Sequence, residues 1–237
     1  MTKIDYLKEL TKSKKPYIIY KSDKGFDLYT DFSKKIILTN NNIKNFINRA
    51  TQFKFKKKET DIFIGFFGYE ILNNLIGVKV KKQKGFKFPK GIFYKPETKV
   101  KLQNKLDYKN LELIKSNKLF KININKASYR VIFDKFKKKI KSGETYQIKI
   151  CTKYSNTTQI DALDFFCRLV KTNMAPEAFM IKDKNYSIIS CSPENLINKK
   201  NDFITTKPIA GTLKKTPKLN KTKALTFFRK NLKETKE

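Results

Sequence analysis

The stretch AFMIKDKNYSIISCSPENLINKKNDFITTKPIAGT, residues 178–212, decides the reading of the fold. Three apolar runs, Ala178 to Ile181, Tyr186 to Cys191 and Phe203 to Thr206, are strand-like. Turns rich in Lys, Asp and Asn separate them, the pattern of an antiparallel meander. Two of the runs lead into loop-like segments, Ser190-Cys191-Ser192-Pro193-Glu194 and Thr206-Lys207-Pro208-Ile209-Ala210-Gly211-Thr212, which together read as an anion and metal pocket. Pro193 removes a ladder donor and ends its strand. A helix beginning there would have Ser192 as its cap and Glu194 in its first turn, where the helix field stabilises a carboxylate. The competing reading sets Glu194 against a substrate hydroxyl or a metal-bound oxygen. Gly211 lets backbone approach a ligand without a Cβ clash, and the hydroxyl and amide of Thr212 can donate to a carboxylate. An Ala-Gly-Thr triplet taken alone is more often a plain turn.

Two further positions bear on chemistry. Thr145 to Cys151 alternates, with Tyr146, Ile148 and Ile150 on one side and Gln147 and Lys149 on the other, which predicts a strand covered on one face. Gln147 then either faces solvent or lines a pocket as a neutral amide, able to hold a small polar molecule without supplying a charged base. Glu234 and Glu237 stand three apart and would share one face of a helix. Two carboxylates directed into a pocket attract Mg²⁺, whereas on a lysine-rich terminus the pair also reads as ordinary surface charge.

The rest of the chain mixes strand and helix. Pro16 to Tyr20 and Lys35 to Thr39 read as strands, followed by a helix from Asn41-Asn42 with Ile43, Phe46 and Ile47 on one face. Asp61 to Phe67 is a strand interrupted by Gly65, and Gly91 to Tyr94 another, bracketed by Pro89 and Pro96. Lys101 to Lys126 is polar and weakly patterned, as in a linker or exposed edge. Ala127 to Lys139 is a helix by its apolar spacing, and Gly143 suits the left-handed position beyond its end. Helical spacing returns around Ile160, Leu163, Cys167 and Val170, and again over Thr222 to Leu232.

Composition narrows the function classes. An apolar fraction of 39%, with 20 Phe and 11 Tyr in 237 residues, fills the core of one large or two small domains. The formal charge of +33 invites a nucleic-acid reading through counterion release. However, the lysines are spread along the whole chain, and only four of 54 basic residues are Arg, whose fork reads phosphates and bases. Abundant Lys, Asn, Ile and Phe fit a coding bias toward A and T, so nucleic acid is disfavoured as a partner. So much charge of one sign predicts salt sensitivity unless an acidic partner or anions sit on it. Three Cys without C-x-x-C spacing argue against a disulfide framework or zinc cluster, and without His any general acid or base is another residue type. No run approaches 18 apolar residues, which predicts no membrane partner and makes the cytoplasm the default location.

Taken in order, Gly65-Phe66-Phe67-Gly68-Tyr69-Glu70, Ile140 to Ile150 with its centre Gly143-Glu144-Thr145-Tyr146-Gln147, Asn173 to Phe179, Ser190 to Glu194, Lys207 to Thr212 and Lys233 to Glu237 resemble the chorismate-using enzymes. The resemblance is to the large component of anthranilate synthase and of aminodeoxychorismate synthase. It implies an α+β fold of two packed, mainly antiparallel β-sheets flanked by helices, with chorismate and Mg²⁺ in a central cleft. It also implies an N-terminal component-I-like region over 1–115 and the first part of the chorismate-binding catalytic domain over 116–237. Ala210, Gly211 and Thr212 would line the chorismate site, Glu194 would be a pocket carboxylate, and Glu234 and Glu237 would match acidic residues of the magnesium site. Because only about half of a full-length member is covered and the chain stops within its last acidic segment, the expectation is half an enzyme. Such a chain would be inactive alone, its C-terminal half supplied separately.

Two positions sort the branches of the resemblance. Isochorismate-forming relatives carry a lysine base where this chain has Gln147, so the amide favours ammonia as nucleophile. Aminodeoxychorismate synthases commonly carry a lysine where this chain has Ala210, which favours the anthranilate type. Against that, the Leu-Leu-Glu-Ser segment of tryptophan-regulated members is missing, and Ala175-Pro176-Glu177 departs from their Pro-Ser-Pro. The expected function is conversion of chorismate to anthranilate and pyruvate with ammonia from a glutamine amidotransferase subunit. The alternatives are aminodeoxychorismate synthase component I and a non-catalytic remnant that binds a partner.

Overall fold

The computed structural model describes residues 3–22, 24–51, 58–78, 88–102, 106, 119–157, 160–200, 202–209 and 211–231. In chain order the elements are α1 (Lys3–Lys12), β1 (Tyr17–Ser22), β2 (Gly25–Ile37), α2 (Ile43–Thr51), β3 (Ile64–Phe67), α3 (Tyr69–Leu75), β4 (Gly91–Leu102), β5 (Lys121–Ile122) and α4 (Lys126–Lys141). They continue with β6 (Tyr154–Ser155), α5 (Ala162–Asn173), β7 (Glu177–Lys182), β8 (Ser187–Ser192), β9 (Asn195–Lys200), β10 (Phe203–Lys207) and α6 (Lys221–Lys230). The fold is α+β with antiparallel sheets and flanking helices, as the sequence predicts. Two compact units divide it, Met1–Tyr108 with Phe165–Glu237 and, separately, Lys109–Asp164.

The first unit is built on a six-stranded sheet of order β3-β4-β2-β1-β7-β8. β1 is central because Tyr17, Ile18 and Ile19 are buried and leave no polar face for water. It pairs with β2 through Ile18↔Tyr29 and with β7 through Ile18↔Ile181. One face of the sheet packs Ile18, Tyr29, Ile92, Tyr94 and Ile181 against Phe32, Phe66, Phe179 and Ile188. A second cluster joins Leu38, Ile43, Ile71 and Phe93 with Phe46, Ile47 and Phe63, so the predicted apolar face of α2 is the one that packs.

β2 and β4 run far beyond the predicted Lys35 to Thr39 and Gly91 to Tyr94. Their long ladder continues through Pro96, which faces Phe32 beside a register shift, and Asp31 next to it has φ 51°. A bulge absorbs the missing N–H of proline, so Pro96 bends the strand instead of ending it. Gly65 is required for a different reason: a Cβ there would stand 1.9 Å from the Ile92 carbonyl oxygen, closer than any side chain tolerates.

Asp183 follows β7 and fastens the sheet. Its Oδ2 accepts from Lys35 Nζ at 2.6 Å and from the Tyr94 hydroxyl at 2.7 Å, and its Oδ1 accepts from the Lys184 N–H at 2.7 Å. Burial pushes this carboxyl up, but the bonds from Lys35, Tyr94 and Lys184 outweigh it and hold the group down at about 2, against an ordinary 3.8. Burial pushes the Tyr186 phenol beside it up to about 12.

In the second unit, Asn125 caps α4 by accepting from the Ser128 N–H, and Gly143 with φ 78° ends it as predicted. Lys139 pairs with Glu144 just beyond. The predicted strand over Thr145 to Cys151 does not form. Residues 145–153 have no ladder, and the ribbon is confined to Lys121↔Ser155 and Ile122↔Tyr154. Alternation creates a strand only where a neighbouring strand accepts its N–H groups, and among the described residues no strand pairs with 145–151. Most of the predicted linker Lys101 to Lys126 lies outside the described residues.

Gly65→Ala is expected to cost about 3 kcal/mol in urea denaturation, because the clash is with backbone. Asp183→Ala should cost about 2 kcal/mol, less than a fully buried pair since the Lys35 side chain is 44% exposed. The folded Asp183 carboxyl lies below its unfolded value. Its stabilisation is therefore complete above the ordinary 3.8 and lost as pH falls toward about 2, a slope that Asp183→Asn removes from a pH series of unfolding midpoints.

Candidate functional site

The two loop segments emerge from neighbouring strand ends. β7 and β8 pair with Glu177↔Ser192 and Ala178↔Cys191, which sets the exit of β8 beside the start of β7. After Pro193 the Glu194 N–H donates to Ser192 Oγ at 3.3 Å, while that hydroxyl donates to the Glu194 carbonyl oxygen at 3.1 Å. This serine turn opens β9, not the helix considered from sequence. Residues 195–200 pair with β10, through Phe203↔Lys200, Ile204↔Lys199, Thr205↔Asn198 and, past a bulge, Lys207↔Asn195. The hairpin returns the chain to its own base, so the residues after Lys207 come back alongside Glu194.

One side chain joins the segments. Glu194 Oε1 accepts the Ile209 N–H at 3.1 Å across fifteen residues. Glu194, Lys207 and Thr212 are exposed and Gly211 is half-buried, so a carboxylate, an ammonium, a hydroxyl and backbone donors are all open to solvent in these two segments. Groups of this kind orient a hydroxylated, carboxylated molecule by hydrogen bonds. Cys191 is a poor nucleophile candidate: burial pushes its thiol up, against a smaller opposite pull from the Lys21 ammonium.

Beneath the loops lies a set of contacts that sequence reasoning missed. Asn195 Nδ2 donates to Glu177 Oε1 at 3.1 Å, and the Tyr20 hydroxyl donates to Glu177 Oε2 at 2.9 Å. Lys21 Nζ donates to the Ala175 carbonyl at 2.6 Å, two residues earlier in the same corner, where Met174 has φ 47°. Tyr20 and Glu177 are 157 residues apart, and no local pattern announces such a pair. The available signal was a carboxylate directly after Pro176 at a strand start.

Of the remaining predicted residues, one belongs to the second unit and three fall outside the described residues. Gln147 is exposed in the irregular part of the second unit, where the Thr145 hydroxyl donates to its carbonyl at 3.2 Å. Ala210, Glu234 and Glu237 lie outside the described residues. Among the described residues no group of three or more His, Cys, Asp or Glu side chains is placed to hold a metal. No described helix is long and apolar enough to cross a membrane. A cavity of about 230 Å³ in the first unit is lined by Leu10, Lys15, Asp31, Phe32, Lys35 and Tyr94 among others, none of them a predicted site residue.

The fold is of the α+β class, an antiparallel sheet whose edge strand β8 leads through Glu194 into a hairpin whose exit bonds back to that residue. Within that class the chain belongs to a specific family. Residues 101–237, more than half of it, match the family described as chorismate binding enzyme. Similar proteins include aminodeoxychorismate synthase component 1 of Salmonella typhimurium, 32% identical over 98 residues, 41% of this chain and 21% of the relative. Another is the Escherichia coli protein of the same name, 30% identical over 95 residues, 40% of this chain and 21% of the relative. Anthranilate synthase component 1 of Buchnera aphidicola subsp. Schizaphis graminum is 29% identical over 148 residues, 60% of this chain and 27% of the relative. The matched region thus spans between 21% and 27% of the length of these relatives.

Glu194→Ala should free the 208–212 loop without unfolding the sheet. Amide exchange at Ile209 is expected to speed up about tenfold, the loss of one charge-assisted bond, with the thermal midpoint shifted little.

Proposed function

We propose that the chain supplies chorismate-contacting loops of an aminating chorismate enzyme of the anthranilate synthase type. The observation that carries the reading is the Glu194 to Ile209 bond, which joins two of the segments on which the family resemblance rests. In this reading Ala210, Gly211 and Thr212 line the substrate. The Gly211 and Thr212 N–H groups and the Thr212 hydroxyl donate to a substrate carboxylate, and Glu194 holds the 208–212 loop at the distance that bonding needs. Gln147, a neutral amide, orients a small molecule without taking a proton from it, which suits ammonia and not an activated water. Ammonia would come from a glutamine amidotransferase subunit, and the location would be cytoplasmic. The domain reading of 1–115 and 116–237 rests on the resemblance; the family match itself begins at residue 101.

Mg²⁺ is proposed as cofactor on the spacing of Glu234 and Glu237, which would hold it. Bound there, it would neutralise a substrate carboxylate and ease departure of the ring hydroxyl.

The second reading, aminodeoxychorismate synthase component I, is favoured by the identity to the Salmonella and Escherichia relatives of that name. Alanine at 210 favours the anthranilate branch, since it cannot attack the ring. Equilibrium dialysis of chorismate against the chain tests the shared part. Retention is expected, weakened about tenfold by Thr212→Val through loss of its hydroxyl bond. A wild-type chain that retains no more chorismate than Thr212→Val contradicts the proposal. By itself the chain is expected to turn over no chorismate; with a separately supplied C-terminal half, the products of chorismate with ammonium and Mg²⁺, separated by chromatography, distinguish anthranilate plus pyruvate from aminodeoxychorismate.

A further inference from the structure

We infer that Glu177 is a positioning residue for the substrate loops, an inference that rests on the proposed function of those loops. Both of its carboxylate oxygens are used. Oε2 accepts the Tyr20 hydroxyl of the central strand β1, and Oε1 accepts Asn195 Nδ2 at the base of the β9–β10 hairpin. Asn195 is the next residue after Glu194 and stands opposite Lys207 in the hairpin register. A single carboxylate thus grips, from the rigid sheet, the residue that separates the two arms of the candidate site.

Among the described residues the hairpin has little apolar packing to hold it. Leu196, Ile197, Phe203 and Ile204 are all more than 60% exposed, so apolar packing does not fix its tilt. Polar fastening at the base must do so, and the Tyr20–Glu177–Asn195 chain is positioned for it. The Glu194 carboxylate can meet the Ile209 N–H only while its own backbone is held at this angle. Lys21 secures the other side of the corner through the Ala175 carbonyl. Among the described residues Glu177 bonds to Tyr20 and Asn195 and to neither Gly211 nor Thr212, so it acts through Asn195 and Glu194.

The test compares wild type, Glu177→Ala, Glu177→Gln and Tyr20→Phe by residue-resolved amide exchange, thermal unfolding and chorismate dialysis. Glu177→Ala is expected to speed exchange at Ile209 about tenfold and to weaken chorismate retention by a similar factor, the loss of charge-assisted bonds. The core amides of β1 and β7 should keep their protection. Glu177→Gln retains an acceptor for Tyr20 and an amide that can pair with Asn195, and should recover most of both effects. Tyr20→Phe should show a smaller loss of the same kind. Unchanged Ile209 exchange in Glu177→Ala overturns the inference, as does loss of protection spread evenly over the sheet. If wild type retains no chorismate, the proposed function fails, while the exchange measurement still decides the role of Glu177.

Discussion

The antiparallel ladder between β1 and β7, from Tyr17↔Lys182 to Tyr20↔Phe179, is the constraint on which the rest of the first unit depends. It closes a chain separation of about 160 residues, an entropic cost that only buried apolar pairs can offset. Ile18, Ile19, Met180 and Ile181 are fully buried there and supply that offset. The consequences follow by register. Tyr20 arrives within reach of Glu177, Glu177 lies opposite Ser192, and the chain leaves β8 into the loop that carries Glu194. A slip of one residue would turn Tyr20 to the other face and break this sequence of contacts.

The long-range ladder also explains what could be read in advance. Features settled within a few residues were legible: the apolar face of α2, the left-handed Gly143 after α4, and the β7–β8 hairpin into Ser190 to Glu194, whereas the third run of the expected meander pairs with β9 in a separate sheet. Features settled by a distant partner were not. β2 reads as a strand only near Lys35, yet it is extended from Gly25 because β1 and β4 flank it. Conversely, Tyr146 to Ile150 alternates as a strand should, but among the described residues it has no partner to form a ladder. Ser192-Pro193-Glu194 has the composition of a helix start and became a hairpin entrance, because the residues that follow pair with β10. In the site itself, Glu194 and the 208–212 loop were legible as a pair from sequence, whereas Glu177 and Tyr20 were not.

Charge is handled by the same economy of partners. The chain has 54 basic and 21 acidic residues, so a carboxylate inside the fold has no shortage of cations. Asp27, nearly buried on β2, takes Lys99 at 3.2 Å, and Lys99 also takes Glu59 at 3.2 Å. Burial pulls the Lys99 ammonium down, but Glu59, Tyr29 and Asp27 together hold it above its ordinary value. Asp183 takes Lys35 in the same way. Glu177 stands apart, since its two bonds run to a hydroxyl and an amide, groups that direct a side chain without neutralising it. Under the proposed function the unpaired lysines supply a positive field that draws a dianion toward the loops.

The central claim is that the Ser190 to Glu194 and Lys207 to Thr212 segments form one substrate site. Titrating chorismate into the isotope-labelled chain and mapping the shifted backbone amides measures this directly. The account predicts saturable shifts concentrated at Glu194, Ile209, Gly211 and Thr212, with the β1 and β7 amides unmoved. Saturable shifts clustered elsewhere, or confined to one of the two segments, would contradict it.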